Sequence, residues 1–364
     1  MRRLVAFGLA GAWLSLAAGC GSSAESPGFA PIEGGVSNLD AAPEAAEPPD
    51  ASRDAASPPD AGEPAVEAPA ELGPPYPIVL AHGFFGFEDF AGVDFATYFY
   101  EVKDELAKQG EAHVYTPAVD PFNDSTTRGA QLARAIQEIL DQTGYAKVVI
   151  IGHSQGGLDA RVVAHDHPDQ VAAVVTYATP HQGSKVSDLV LGLVSDPGLQ
   201  GIADSLVRLL GGPLWDQAGK ETSLIKGLAQ FASPGIAQFN AKYPDAPGVA
   251  YFSIGGRTDL ALASSECASP DAPPFIKDFE RDRDLVDLLL KPTNTLLDDG
   301  FSQTPNDGLV TVASAKHGTF LGCVPADHLD EIGQLFGDSP GLGNDWRHKP
   351  FFVSLVSWLR AQGY

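Results

Sequence analysis

The chain has 364 residues, 44% of them hydrophobic, and a formal net charge of −24, which is enough apolar material for one large core or two ordinary ones. That charge excludes nucleic acid as a partner, because nothing would offset repulsion from the phosphates. The three cysteines, Cys20, Cys267 and Cys323, are too few for a disulfide scaffold.

Arg2 and Arg3 precede an apolar stretch over residues 4–18. It is shorter than the roughly 20 residues that span a bilayer as a helix, and it predicts an export signal over 1–19. Leu16-Ala17-Ala18-Gly19-Cys20 resembles a bacterial lipobox, which implies a lipid on Cys20 and attachment to a membrane surface. Gly21, not Asp, follows the cysteine, and by the same resemblance this favours the outer membrane. Residues 20–75 are rich in Pro, Ala, Glu, Asp, Ser and Gly, as in AAPEAAEPPDASRDAASPPDAGEP. With no apolar periodicity they bury too little surface to offset chain entropy, so a flexible acidic tether is expected there. One catalytic domain is expected over 76–364.

Residues 77–81, PIVLA, read as a strand running into His82-Gly83-Phe84-Phe85-Gly86. Residues 95–108 have helical spacing before Gly110, 113–115 read as a short strand, and 126–143 read as an amphipathic helix stopped by Gly144. Val148-Val149-Ile150-Ile151 is a short continuous apolar run, the pattern of a strand buried on both faces. Gly152-His153-Ser154-Gln155-Gly156 follows, then a helical stretch from Gly157. A strand that turns into a helix over so few residues needs glycine where side chains would collide. In that setting G-x-S-x-G is a nucleophile elbow, which lifts Ser154 clear of the sheet. Residues 171–178 and 249–255 are further strands, and 351–360 a closing helix. Strands alternating with helices predict an α/β fold with a mostly parallel central sheet covered by helices on both faces. Residues 185–245 are rich in leucine and glycine without a strand pattern. Short helices are expected there, either as a cap over the site or as ordinary core.

A serine hydroxyl needs a base to take its proton and an acid to orient that base. In this fold the chain order is nucleophile, acid, base, so both partners should follow Ser154. His165 and His167 lie on the elbow's own helix, pointing away from the hydroxyl. His181 sits just past a strand, and His317 and His348 lack a distinctive context. His328 lies late in the chain in a loop-like stretch, ADHLDEI. Asp307, in TPNDGLV, combines a turn dipeptide with a following apolar pair, while Asp284, Asp298, Asp299 and Asp330 compete for the acid's role.

PIVLAHGFFG, GHSQGGL, TPHQGS, NDGLV and DHLDEIGQ occur in this order along the chain. Together they resemble the secreted true lipases of Pseudomonas and Burkholderia, an α/β-hydrolase family, over residues 76–364 apart from the middle cap. The resemblance implies Ser154 as nucleophile, Asp307 as acid and His328 as base. It places the oxyanion donors on the backbone N–H groups of Phe84 and Gln155, where the fold should supply them, and it leaves His82 to fix that loop by hydrogen bonding. It also implies a structural calcium ion held by the carboxylates of Asp284 and Asp330 and the main-chain carbonyls of Gln334 and Asp338, with Asp287 an alternative to Asp284. No organic cofactor is implied.

The family's disulfide has its second cysteine where Ala313 stands here. A pair between Cys267 and Cys323 is expected instead, as suits an exported chain. The lipobox and tether also depart from the freely secreted members, and they leave open whether the chain stays at the cell surface or is secreted, and whether it requires a dedicated foldase. The leading expectation is a serine carboxylic-ester hydrolase acting on acylglycerols or similar lipids. Acyl transfer by the same triad, a short-chain esterase and a catalytically silent surface-binding module are the alternatives.

Overall fold

Six strands form one all-parallel sheet in the order β2-β1-β3-β4-β5-β6. They are β1 (Ile78–Ala81), β2 (Val114–Tyr115), β3 (Val148–His153), β4 (Val171–Tyr177), β5 (Ala250–Gly256) and β6 (Thr319–Val324). The computed structural model describes residues 71–84, 98–191, 222–258, 265–298, 304–334, 337, 340–341 and 343–364. The expected leader with Cys20, most of the tether, and residues 192–221 of the expected cap lie outside the described residues, as do Asp299 and Asp338.

β3 lies between β1 and β4, in register Ile78↔Val149 on one side and Ile150↔Val174 on the other. Every residue of β1, β3 and β4 is buried, which is why these strands read as continuous rather than alternating apolar runs. The two-residue period of the pleat divides them between two cores. Ile78, Leu80, Val149, Ile151, Val175 and Tyr177 face the cluster that holds α1 (Val102–Lys108) and the closing helix. Val79, Ala81, Val148, Ile150 and Val174 face the cluster under α2 (Ser125–Thr143) and α3 (Gln155–Asp166).

α2 begins at Asp124, whose side chain accepts the Thr127 N–H, and ends at Gly144 with φ 74, the two end signals expected of a capped helix. Within the described part of the helix expected over 95–108, from residue 98 on, the helix runs Val102–Lys108, because Phe99 and Glu101 take positive φ, 55 and 53, and turn the chain before it. After β4 come α4 (Lys185–Val190), α5 (Thr222–Phe231) and α6 (Ser233–Lys242). Then follow α7 (Lys291–Leu297), the single turn α8 (Val312–Ala315) and α9 (His348–Ala361). Cys267 and Cys323 are joined by a disulfide with Cα atoms 5.2 Å apart, tying the segment after β5 to β6. Among the described residues no helix is long and apolar enough to cross a membrane.

Candidate active site

Ser154 stands between the end of β3 and the first turn of α3 with φ 54 and ψ −127. A side-chain-bearing residue pays strain in that region, and such strain concentrates where function requires it. The surrounding glycines explain how the turn is built. A Cβ on Gly152 would overlap the backbone of Gly156, and one on Gly156 would overlap the carbonyl of Ala81 at the end of β1. The elbow is therefore wedged between two strands with no room for side chains, and its serine is directed outward.

The loop after β1 closes over the elbow. A Cβ on Gly83 would collide with the Cβ of Ser154, so the backbone leading into Phe84 passes directly beside the hydroxyl-bearing residue. Arg128, fully buried on α2, holds this loop. Its Nη2 donates to the carbonyls of His82 (2.6 Å) and Gly83 (3.3 Å), its Nη1 to that of Asp120 (2.7 Å) and its Nε to Asp159 Oδ2 (2.7 Å). With both carbonyls tied to the guanidinium, the peptide planes before Phe84 are fixed. His82 braces the same loop: its Nδ1–H donates to the Gly83 carbonyl at 2.9 Å and its Nε2 accepts the Val119 N–H at 3.1 Å. Burial and the Arg128 charge push the His82 pKa down to about 4, so the ring is neutral. Gln155, the second expected donor residue, is fully buried as the first residue of α3, where backbone N–H groups lack helical partners.

At the other end of the sheet edge, His328 Nδ1 donates to Asp307 Oδ2 at 2.8 Å. The second oxygen of Asp307 accepts the N–H groups of Leu309 (2.8 Å) and Val310 (2.6 Å). Asn306 fixes this turn from below, accepting the Gly308 N–H at 2.8 Å and an N–H of Asn294 at 2.9 Å. Ser154 and His328 line one cavity with Phe84, Leu228, Leu309 and Val310. Val186 and Ser187 of α4 and Phe231 of α5 complete much of its wall, so the described part of the expected cap is helical and faces the site.

Four of the other histidines have partners elsewhere. His181 is buried between Arg161 Nη1 (3.2 Å) and the Thr176 hydroxyl (3.0 Å), and His317 pairs with Asp245 at 2.7 Å. His348 donates to the Tyr100 carbonyl at 3.0 Å, and His165 to that of Pro244 at 3.0 Å. Two further groups lie beside the base, one of them the residue before the nucleophile and the other a glutamate. His153 Nε2 lies 2.6 Å from Glu331 Oε2, and His153 Nδ1 lies 2.7 Å from the Tyr98 hydroxyl. The rings of His153 and His328 are 4.6 Å apart, and Glu331 Oε2 is 3.9 Å from His328 Nδ1. Burial, then the charges of Asp307, Asp327, Asp330 and Asp284, push the Glu331 carboxyl well above its ordinary range. Burial, then His328, holds the His153 ring well below its own. A polar residue closing an otherwise apolar strand, and a carboxylate one helical turn after His328, were the available signals.

Asp284 and Asp330 come together as the calcium reading expects, and Asp327 joins them: one carboxylate oxygen of each lies within 4.8 Å of the others. Both oxygens of Asp284 are buried with no hydrogen-bond partner. Burial and the nearby charges of Asp327 and Asp287 push its pKa up to about 8. A hard cation answers both features, so the residues fit calcium. Asp284 rather than Asp287 occupies the cluster, while the backbone N–H of Asp287 donates to Asp327 Oδ2 at 2.9 Å. Gln334 follows at the end of this segment, its N–H donating to the Leu329 carbonyl at 2.9 Å.

A serine on a strained strand-to-helix turn, with an Asp–His pair at the carboxyl edge of a parallel sheet, defines an α/β hydrolase. A family model described as alpha/beta hydrolase fold matches residues 76–247. Over 287 residues the chain is 34% identical to a triacylglycerol lipase of Vibrio cholerae, covering 72% of this chain and 81% of that one. It is 30% identical to a triacylglycerol lipase of Burkholderia plantarii (72% and 80% covered) and 31% identical to one of Pseudomonas fragi (71% and 88%). The crystal structure of a Bacillus licheniformis lipase in mature form shares the fold, with a TM-score of 0.51 at 21% identity over 81% of this chain and 96% of that one. The chain belongs to the bacterial lipase family of the α/β hydrolases and is a carboxylic ester hydrolase.

Proposed function

We propose that the chain is a triacylglycerol lipase working through Ser154, His328 and Asp307. The hydrogen bond between Asp307 and His328, beside a cavity that also contains Ser154, carries the reading. His328 takes the Ser154 proton as Oγ attacks the ester carbonyl, and Asp307 stabilises the imidazolium. The backbone N–H groups of Phe84 and Gln155 receive the oxyanion, and removal of one such donor typically costs about a hundredfold to a thousandfold in turnover. Collapse of the tetrahedral species breaks the C–O bond, and His328 returns the proton to the departing alcohol. Water, deprotonated by His328, then attacks the acyl-enzyme and releases the acid and Ser154. The apolar lining from Val186, Leu228, Phe231 and Leu309 suits an acyl chain.

Asp284 and Asp330, with the main-chain carbonyls of Gln334 and Asp338, would hold a calcium ion, whose positive charge would brace the segment carrying His328. The N-terminal leader and lipobox support export and anchoring at the cell surface through Cys20, with residues 20–75 as a tether ahead of a domain over 76–364. The test is covalent. A fluorophosphonate probe should label the native chain on Ser154, and Ser154→Ala should lose both labelling and p-nitrophenyl ester hydrolysis while unfolding at the native temperature. Full activity in Ser154→Ala overturns the nucleophile, and an acylated alcohol as the main product in aqueous glycerol assigns transfer instead.

A further inference from the structure

Between β5 and the Asp307 turn, Asp284-Leu285-Val286-Asp287-Leu288-Leu289-Leu290 forms a loop with an inverted apolar pattern. Leu288 is 91% exposed, Leu285 65% and Leu289 44%, while Asp284 is 1% exposed. Large apolar side chains scattered singly on a surface need no explanation, but three within five residues are a patch. The loop is not loosely held. Its Asp284 end sits in the carboxylate cluster, and the Asp287 N–H donates to Asp327, the residue before His328. At its other end Leu290 is fully buried against Gly308, where an added Cβ would lie 2.8 Å from that of Leu290. α7 then runs from this point, and its Leu297 packs on Val186, part of the cavity wall. The exposed leucines are thus mounted on the acid's turn, the base's segment and the wall of the substrate cavity.

We propose that Leu285, Leu288 and Leu289 form a docking edge that inserts into the surface of aggregated neutral lipid and sets the cavity against it. This rests on the reading of the site as a lipase. Continuity with the cavity wall selects the occupant, because a water-insoluble ester reaches Ser154 only from such a surface. Charge selects the kind of surface. A chain of net charge −24 is repelled by anionic headgroups, so uncharged triacylglycerol and zwitterionic phosphatidylcholine are preferred.

The full chain carrying Cys20→Ser, Ser154→Ala and Leu288→Cys, labelled at the new thiol with an environment-sensitive fluorophore, should brighten and shift to the blue when phosphatidylcholine vesicles or a triolein emulsion are added. Phosphatidylserine vesicles should produce a smaller change, and the same label at Lys103→Cys should not respond. Equal responses at the two positions, or none, overturn the docking edge. A lipid-free response that grows with protein concentration assigns the patch to a second copy of the chain and overturns it equally. These outcomes do not depend on turnover, so they separate from failure of the Ser154 assignment. In the catalytically intact chain, replacing all three leucines by serine should lower the rate on emulsified triolein by about tenfold or more. Hydrolysis of dissolved p-nitrophenyl acetate should stay within about twofold. Equal losses on both substrates overturn the proposal.

Discussion

His328 is bound to Asp307 twice: its ring Nδ1 meets Asp307 Oδ2 at 2.8 Å, and its backbone N–H meets the Asp307 carbonyl at 2.9 Å. The loop after β6 and the turn after α7 are therefore joined as backbones before their side chains meet, which removes most of the freedom that would otherwise misalign the imidazole. The bond also sets a direction. Asp307 Oδ1 is taken by two backbone N–H groups, from Leu309 and Val310, so an amide at this position keeps its oxygen there and turns its NH2 toward His328.

Asp307→Asn should consequently fold as the native chain does but present a donor to Nδ1, holding the wrong tautomer of the base. Turnover of a soluble ester should fall by about 10⁴, the scale seen when a triad carboxylate becomes an amide. Steady-state kinetics with a thermal melt check it. A loss below tenfold with an intact fold would mean that the tautomer is set by another group.

Arg128 reaches four acceptors from the first turn of α2, and two of them are the carbonyls that precede Phe84. Lysine keeps the charge beside Asp159 but lacks the planar fork. Arg128→Lys should lower kcat by about a hundredfold, the effect of one misplaced oxyanion donor, with little change in KM. Arg128→Met leaves Asp159 buried and unpaired, and should be destabilised by about 3–5 kcal/mol, as read from urea unfolding. Native kcat in the lysine variant would remove Arg128 from the positioning of this loop.

Chelation should lower the melting temperature, because the buried carboxylates of Asp284, Asp327 and Asp330 crowd one another, and burial with the charges of Asp327 and Asp287 disfavours the ionised form of Asp284. A cation that binds only the native state adds about 2.7 kcal/mol of stability at a free concentration of about 100 times Kd. Calcium titration of the chelated chain should restore the melt, and Asp284→Asn should flatten the calcium dependence. A melt indifferent to calcium in the native chain would overturn the assignment.

The elbow was legible because three local signals coincide: an all-apolar strand, glycines where backbones touch, and a helical stretch. Asp307 and His328 were recoverable from order and turn chemistry, with the resemblance choosing among several aspartates. β6 has no clear strand signal in the sequence because Gly322, at φ 123, and Cys323 break its apolar run. α7 begins with Lys291-Pro292 and buries only Thr293, Asn294 and Leu297, too few for a visible amphipathic face. His153, Glu331, Tyr98 and Arg128 act through contacts between residues far apart in sequence. Tyr98 and His153 are 55 positions apart and His153 and Glu331 are 178 apart, and no local spacing encodes such meetings.

His82 gives a pH dependence whose sign follows from its surroundings. Its ring is buried as an acceptor for Val119 and a donor to Gly83, a pattern only the neutral form satisfies, and its pKa is lowered to about 4 by burial and by Arg128. In the unfolded chain the same ring titrates near its ordinary value of 6.5. Between those two values the unfolded state binds the extra proton, so stability is complete above about pH 6.5 and declines as the pH falls toward about 4. The gap corresponds to about 3 kcal/mol at its full extent. His82→Asn removes the titration, although it also weakens the loop at every pH. The urea-unfolding free energy of the native chain should therefore fall more steeply between pH 6.5 and pH 4 than that of the variant. Parallel curves would mean that this ring does not carry the acid sensitivity.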